Sequence, residues 1–147
     1  MREIEIPVVS VSETPTKLPE YTYSTDACFD LAASEEVTIY PCSRAAVKLG
    51  IVSGIPEGFA VELVPRSGLA LNYGITVLNS PGQIDAGFRG IWKAILYNTS
   101  DTPFKIKPGD RICQGKLVEV IRAKFKQVIY LPASLRGNHG TGSSGIE

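Results

Sequence analysis

Asp85 is the acid whose neighbours best suit it to take a proton from a water. It sits in residues 78–98, LNSPGQIDAGFRGIWKAILYN. Ser80-Pro81-Gly82 is turn chemistry. Gln83-Ile84-Asp85 reads as short and extended, with Ile84 as the inward residue. Ala86-Gly87 allows a tight hairpin return in which Gly87 takes positive φ, and residues 92–97 read as the next strand. A carboxylate at such a tip, partly desolvated and held by paired strands, can act as a general base toward a water. An ordinary turn aspartate has the same local sequence.

Four further stretches stand out. Asp26-Ala27-Cys28-Phe29-Asp30-Leu31 has an acid at each end of a short apolar piece; the plainer reading is a strand entry with Asp30 held by backbone donors. Pro65-Arg66-Ser67-Gly68-Leu69-Ala70 brings a planar guanidinium fork, a hydroxyl and a backbone N–H that glycine leaves open. A helical turn beginning at Leu69 would add the anion affinity of a helix N-terminus; otherwise this is a turn with a surface arginine. In Gly109-Asp110-Arg111-Ile112-Cys113-Gln114 a turn feeds a strand ending in an amide, with Asp110 and Arg111 expected to pair with each other or with neighbouring loops. Residues 136–145, RGNHGTGSSG, hold one arginine, many backbone donors and two serine hydroxyls, which suits either a flap over phosphates or a disordered end.

The elements that must position these groups read as all-β. The 147 residues suit one domain with a proper core. Glycine (14) and proline (10) punctuate short segments rich in Val, Ile, Leu and aromatics, with no convincing 3.6-residue apolar period. Strands are expected over 3–11, 29–33, 37–40, 45–55, 59–64, 111–120 and 124–131, with a single helical turn over 69–72 and residues 75–78 leading into the hairpin around Asp85. In 59–64, Phe59, Val61 and Leu63 share one face and Glu62 takes the other. A body over 1–135 is expected, followed by a flexible glycine-rich tail over 136–147. Fifteen basic and fifteen acidic residues balance, so no charge excess points to nucleic acid or an anionic membrane. No apolar run spans a bilayer and Met1-Arg2-Glu3 does not begin a signal peptide, so a cytoplasmic location is expected. Cys28, Cys42 and Cys113 are odd in number and widely spaced, which suits free buried thiols rather than zinc ligands or a disulfide framework.

In order and spacing these stretches resemble the five motifs of the trimeric all-β dUTP diphosphatase (dUTPase) family: 27–31, 65–70, 82–90, 109–114 and the tail. The resemblance spans nearly the whole chain and implies a dUTPase-like jelly-roll or β-barrel. It implies that Asp85 orients and deprotonates a water that attacks the α-phosphorus of dUTP, releasing dUMP and pyrophosphate. Asn79 and the hairpin backbone stand where uracil is read, and Phe88 where an aromatic, usually tyrosine, packs under the deoxyribose. Arg66, Ser67, Gly68 and Gln114 stand at phosphate-binding positions. Asp30 matches an acid that acts around metal-bound waters. Arg136, Ser143 and Ser144 match tail groups that close on the γ-phosphate. The resemblance further implies Mg²⁺ held mainly by triphosphate oxygens and water, and a homotrimer in which one subunit's tail closes a site built by the others.

Two departures from the family pattern bear on function. Phenylalanine at 88 brings the third motif close to the dCTP deaminases of the same fold. Those enzymes need a glutamate on the next strand; the matching position here is Ile95, flanked by Lys93 and Ala94. In the tail the family places a uracil-stacking aromatic where this chain has Thr141, and His139 is the candidate substitute. The alternatives are therefore a dCTP deaminase, a bifunctional relative, or a regulator of the same fold that binds a protein partner; the compact chain shows no inserted partner surface.

Overall fold

In the computed structural model, residues 2–14 and 17–140 are described. The segments between glycine and proline breaks become eleven strands and one helix: β1 Val8–Ser10, β2 Phe29–Ala32, β3 Val37–Ile39, β4 Arg44–Lys48, β5 Ile51–Ser53, β6 Phe59–Val64, α1 Ser67–Tyr73, β7 Ile75–Val77, β8 Gly82–Asp85, β9 Lys93–Asn98, β10 Phe104–Ile106 and β11 Arg111–Glu119. A four-stranded sheet runs β2-β11-β6-β8 and a three-stranded sheet runs β4-β9-β7, and β1-β5 and β3-β10 form two-stranded pairs. All pairings are antiparallel. Consecutive strands thus alternate between sheets, as expected of a jelly-roll-like all-β body.

Period-two alternation decides which side chains meet between the sheets. On the inner face of the four-stranded sheet, Phe29, Val61, Leu63 and Ile84 are buried, and they join one core with Leu96 and Trp92 from the opposite side. Asp30, Gln114, Glu62 and Asp85 take the outer face by the same register. Gly115 lies under the Phe29 ring: a Cβ there would come within 2.2 Å of Phe29 Cε2. Gly115→Ala is therefore expected to cost about 1–3 kcal/mol, the usual range for overpacking. Urea unfolding measures it, and an unchanged midpoint would mean that the ring moves aside freely.

Several expectations are corrected. The long strand over 45–55 is two, β4 and β5, because Gly50 turns left-handed (φ 68) and sends them to different sheets. The strand over 3–11 shortens to Val8–Ser10, and 124–131 forms no strand, its Phe125 and Ile129 almost wholly exposed. Both stretches have strand composition, but a strand exists only where an edge accepts its hydrogen bonds. The strand β10 was not anticipated; three residues between two turns carry too little periodicity to read, and pairing with β3 decides it. The helix is longer than one turn, starting at Ser67 and closed by Gly74, whose φ of 66 lets its N–H reach Ala70 O.

The expected hairpin around Asp85 is also corrected. The strand β8 pairs with β6, and β9 pairs with β4 and β7, so the turn between them crosses from sheet to sheet. Gly87 is not in the left-handed region and a Cβ there would touch nothing. The turn is held instead by the Phe88 N–H donating to Asp85 O (3.0 Å). Arg89 Nη1 adds bonds to Ala86 O (2.6 Å) and Phe88 O (2.9 Å).

Candidate active site

Three of the sequence motifs converge on Asp30. Its place on β2 puts it level with Gln114 on β11, so both side chains stand on the outer sheet face. Gln114 Nε2 donates to Asp30 Oδ1 at 3.2 Å. Arg66, leaving β6 just before α1, sets its Nε 3.2 Å from the same oxygen and donates from Nη1 to Arg111 O at 2.9 Å. Arg111 Nη1 donates to Asp30 Oδ2 at 2.8 Å, and Thr22 Oγ1 reaches that oxygen at 3.4 Å. The Asp30 side chain is only 11 % exposed, whereas Arg66 and Arg111 keep 27 % and 52 % of theirs open. Two guanidinium groups around one carboxylate leave a net positive charge with several N–H donors free to face an anion.

Ser67 and Gly68 open α1 beside this cluster. The Arg66 side chain makes no cap bond, so the first-turn N–H groups have no partner within the helix. Beneath the cluster, burial pushes the Cys113 thiol up to about 12, with Arg66 opposing and Asp30 reinforcing the shift. That thiol is neutral and chemically quiet, a packing group rather than a nucleophile.

Asp85 stands elsewhere. Its exposed carboxylate meets no hydrogen-bond or ion-pair partner among the described residues, and one turn away Phe88 lays its ring on Gly90. Asn79, on the turn before β8, packs its amide against Gly82, where a Cβ would come within 3.1 Å of Nδ2. Along β6 the Asp85 row is level with Ala60, and the Asp30–Gln114 row is level with Val64. Four residues at ~3.3 Å and three strand spacings at ~4.8 Å separate Asp30 from Asp85, about 20 Å in all. The structure thus brings Asp30, Arg66, Ser67, Gly68 and Gln114 together and leaves Asp85, Asn79 and Phe88 as a second group at the far corner of the same sheet.

In the tail, Arg136 Nε donates to His139 O at 3.0 Å within an exposed turn around Gly137 (φ 56). Thr141, Ser143 and Ser144 lie outside the described residues. Two residues that sequence reasoning passed over do structural work at the site. Arg89 ties down the turn carrying Asp85 and Phe88. Arg111, expected to pair with Asp110 or with loops, pairs with Asp30 instead, while Asp110 Oδ2 accepts the Lys107 N–H of its own turn (2.8 Å). The arginine inside the 109–114 motif was the signal for Arg111; nothing in the sequence marked Arg89 off from a surface arginine.

Arginine and amide donors gathered around a nearly buried carboxylate, beside free backbone N–H groups, can grip a chain of phosphates on this all-β scaffold. The chain belongs to the dUTPase family, an enzyme family whose sequence model matches residues 14–145. It is 43 % identical over 143 residues to the deoxyuridine 5'-triphosphate nucleotidohydrolase of Leifsonia xyli subsp. xyli, covering 97 % of this chain and 91 % of that protein. It is 46 % identical over 129 residues to that of Thermobifida fusca, covering 87 % and 72 %. Among solved structures, the Staphylococcus bacteriophage 80alpha dUTPase with dUPNHPP aligns with a TM-score of 0.88 at 27 % identity, covering 97 % of this chain and 99 % of that one.

Proposed function

We propose that the protein hydrolyses dUTP to dUMP and pyrophosphate in sites shared between copies. The observation that carries this reading is the convergence of three separate motifs on Asp30, which orients Arg66 and Gln114 toward a common anion. Arg66, the first-turn N–H groups at Ser67 and Gly68, and Gln114 hold the phosphates. Asn79 reads uracil and Phe88 packs under the sugar. Asp85 takes a proton from a water; that water's oxygen bonds to the α-phosphorus as the bond to the bridging oxygen breaks, and pyrophosphate leaves with the electron pair. Phosphoryl chemistry of this kind needs positioning and charge neutralisation rather than a protein nucleophile.

Magnesium fits this site only as a passenger on the substrate. The described residues include no group of three or more His, Cys, Asp or Glu that could cage a metal. Asp30 Oδ2 gives one of its acceptor positions to the long Thr22 contact, which a metal-bound water could replace. Bound there, Mg²⁺ would neutralise charge on the phosphate chain. The chain's own part is to hold Asp30 and its arginines in place.

Copy-sharing follows from distance. A triphosphate gripped at Arg66 cannot also place its α-phosphorus within one water of an Asp85 about 20 Å away. An Asp85 from a second copy can supply that reach, and a homotrimer closes such head-to-tail contacts. Residues 120–135 favour assembly: Ile121, Phe125, Ile129 and Leu135 are bare at 94 %, 95 %, 101 % and 110 % exposure. An apolar arm with strand composition and Lys124 and Lys126 suits an edge on another copy, and residues 3–6, which lie in no strand of this chain and carry Glu3 and Glu5, offer one. The tail from residue 136 then acts as a lid, with Arg136 on the γ-phosphate. Removing residues 136–147 is expected to lower turnover about 10–100-fold, the scale of charge-assisted hydrogen bonds lost together with water exclusion. Unchanged turnover would make the tail a bystander.

The deaminase reading is disfavoured by Ile95, which lies on β9 where that chemistry needs an acid. Purified protein with Mg²⁺ and either dUTP or dCTP, scored separately for pyrophosphate and ammonia, tests the proposal. Pyrophosphate from dUTP alone is expected; ammonia from dCTP, or no pyrophosphate from dUTP, would overturn it.

A further inference from the structure

We propose that Arg111 is a positioning residue for the phosphate cradle, placed there by a bulge in β11. The inference deepens the reading above and rests on it for the identity of the anion. In an unbroken strand, side chains alternate, so Gln114 on the outer face would put Arg111 on the inner one. The register against β2 slips between Arg111, level with Ala32, and Cys113, level with Leu31. Ile112 and Cys113 are both buried as a result, at 2 % and 0 % exposure, and Arg111 returns to the outer face. Bulges commonly re-aim one side chain in this way.

The re-aimed side chain touches none of the groups assigned to the substrate except through Asp30. Its Nη1 holds Oδ2 at 2.8 Å, which fixes the carboxylate's rotation and leaves Oδ1 to the Arg66 Nε and Gln114 Nε2. Its backbone carbonyl takes an Arg66 Nη1 hydrogen at 2.9 Å, fixing the guanidinium plane from a second side. The bulge therefore sets both anchors of Arg66 at once. The remaining Arg66 donors and the Gln114 amide are pre-aimed, and the ordering cost is met in folding rather than on binding.

A double-mutant cycle tests this, with calorimetric binding of dUpNHpp, inorganic triphosphate and dUMP to the full-length protein. Arg111→Gln is expected to weaken both triphosphates roughly 10–100-fold, the scale of a misplaced binding group, and to leave dUMP within about twofold. In an Arg66→Gln background the same change is expected to cost less than about threefold, because its effect runs through the missing group. Arg111→Lys keeps the charge without the planar fork and is expected to recover only part of the affinity; it also serves if Arg111→Gln does not fold. Undiminished triphosphate binding by the Arg111 variants, or a full loss persisting without Arg66, would overturn the inference. Wild-type protein that binds inorganic triphosphate but not dUpNHpp would overturn the dUTP reading alone, and the cycle would then be decided on inorganic triphosphate.

Discussion

Asp85→Asn is expected to fold with the wild-type unfolding midpoint and to lose at least about 10²–10⁴-fold in turnover on dUTP, the usual contribution of a positioned general base. The carboxamide has the same shape as the carboxylate, but at neutral pH it cannot take the proton that the attacking water must shed. Stability is expected to be untouched because the Asp85 side chain is exposed and has no hydrogen bond or ion pair among the described residues. Its structural duty is carried by the backbone, through Ala60 opposite and the Phe88 N–H, and the substitution keeps both. Affinity for dUpNHpp is expected to stay near wild type, since Asp85 acts on the attacking water while Arg66, Ser67, Gly68 and Gln114 grip the phosphates. Stopped-time pyrophosphate release beside a binding titration separates the two effects. Near-normal turnover would remove Asp85 from the mechanism, and a large loss of binding would make it a substrate contact instead.

Mixing two dead variants is expected to restore activity. Asp85→Asn lacks the base and Arg66→Gln lacks the phosphate anchor, so each alone is expected to be nearly inactive. If every site takes Asp85 from one copy and the Asp30–Arg66–Gln114 cluster from another, co-assembly creates some sites with both wild-type groups. Random one-to-one mixing is expected to return about a quarter of wild-type activity, because each of the two contributing copies carries its intact group half the time. The two variants are unfolded together in urea, refolded and assayed against each refolded alone. No recovery, with mixed assemblies verified by native mass spectrometry, would place a complete site within one copy and contradict the geometric separation of about 20 Å. The same spectrum reports the expected trimeric mass.

Much of this protein was legible before any coordinates. Turn residues at short intervals, alternation in 59–64 and the lack of helical periodicity were enough for an all-β body. Arg66-Ser67-Gly68, the Asp85 stretch and the 109–114 motif were visible as candidate chemistry because their residue types are scarce and their spacing is local. What stayed hidden depends on contacts distant in sequence. Whether 124–131 is a strand depends on an edge that accepts its hydrogen bonds, and none among the described residues does. Whether 45–55 is one strand or two depends on Gly50 turning left-handed between two sheets. Asp30 read as a strand-entry acid satisfied by backbone; only the pairing of β2 with β11 puts the Arg111 and Gln114 side chains on it. Residue types and local spacing therefore determined the strand-rich body and marked the candidate groups. Register, a single bulge and the sheet order decided which of those groups meet and which stay a sheet-width apart. Side-chain alternation is a local rule, but its phase is set by the partner strand, and the partner is chosen by the whole fold.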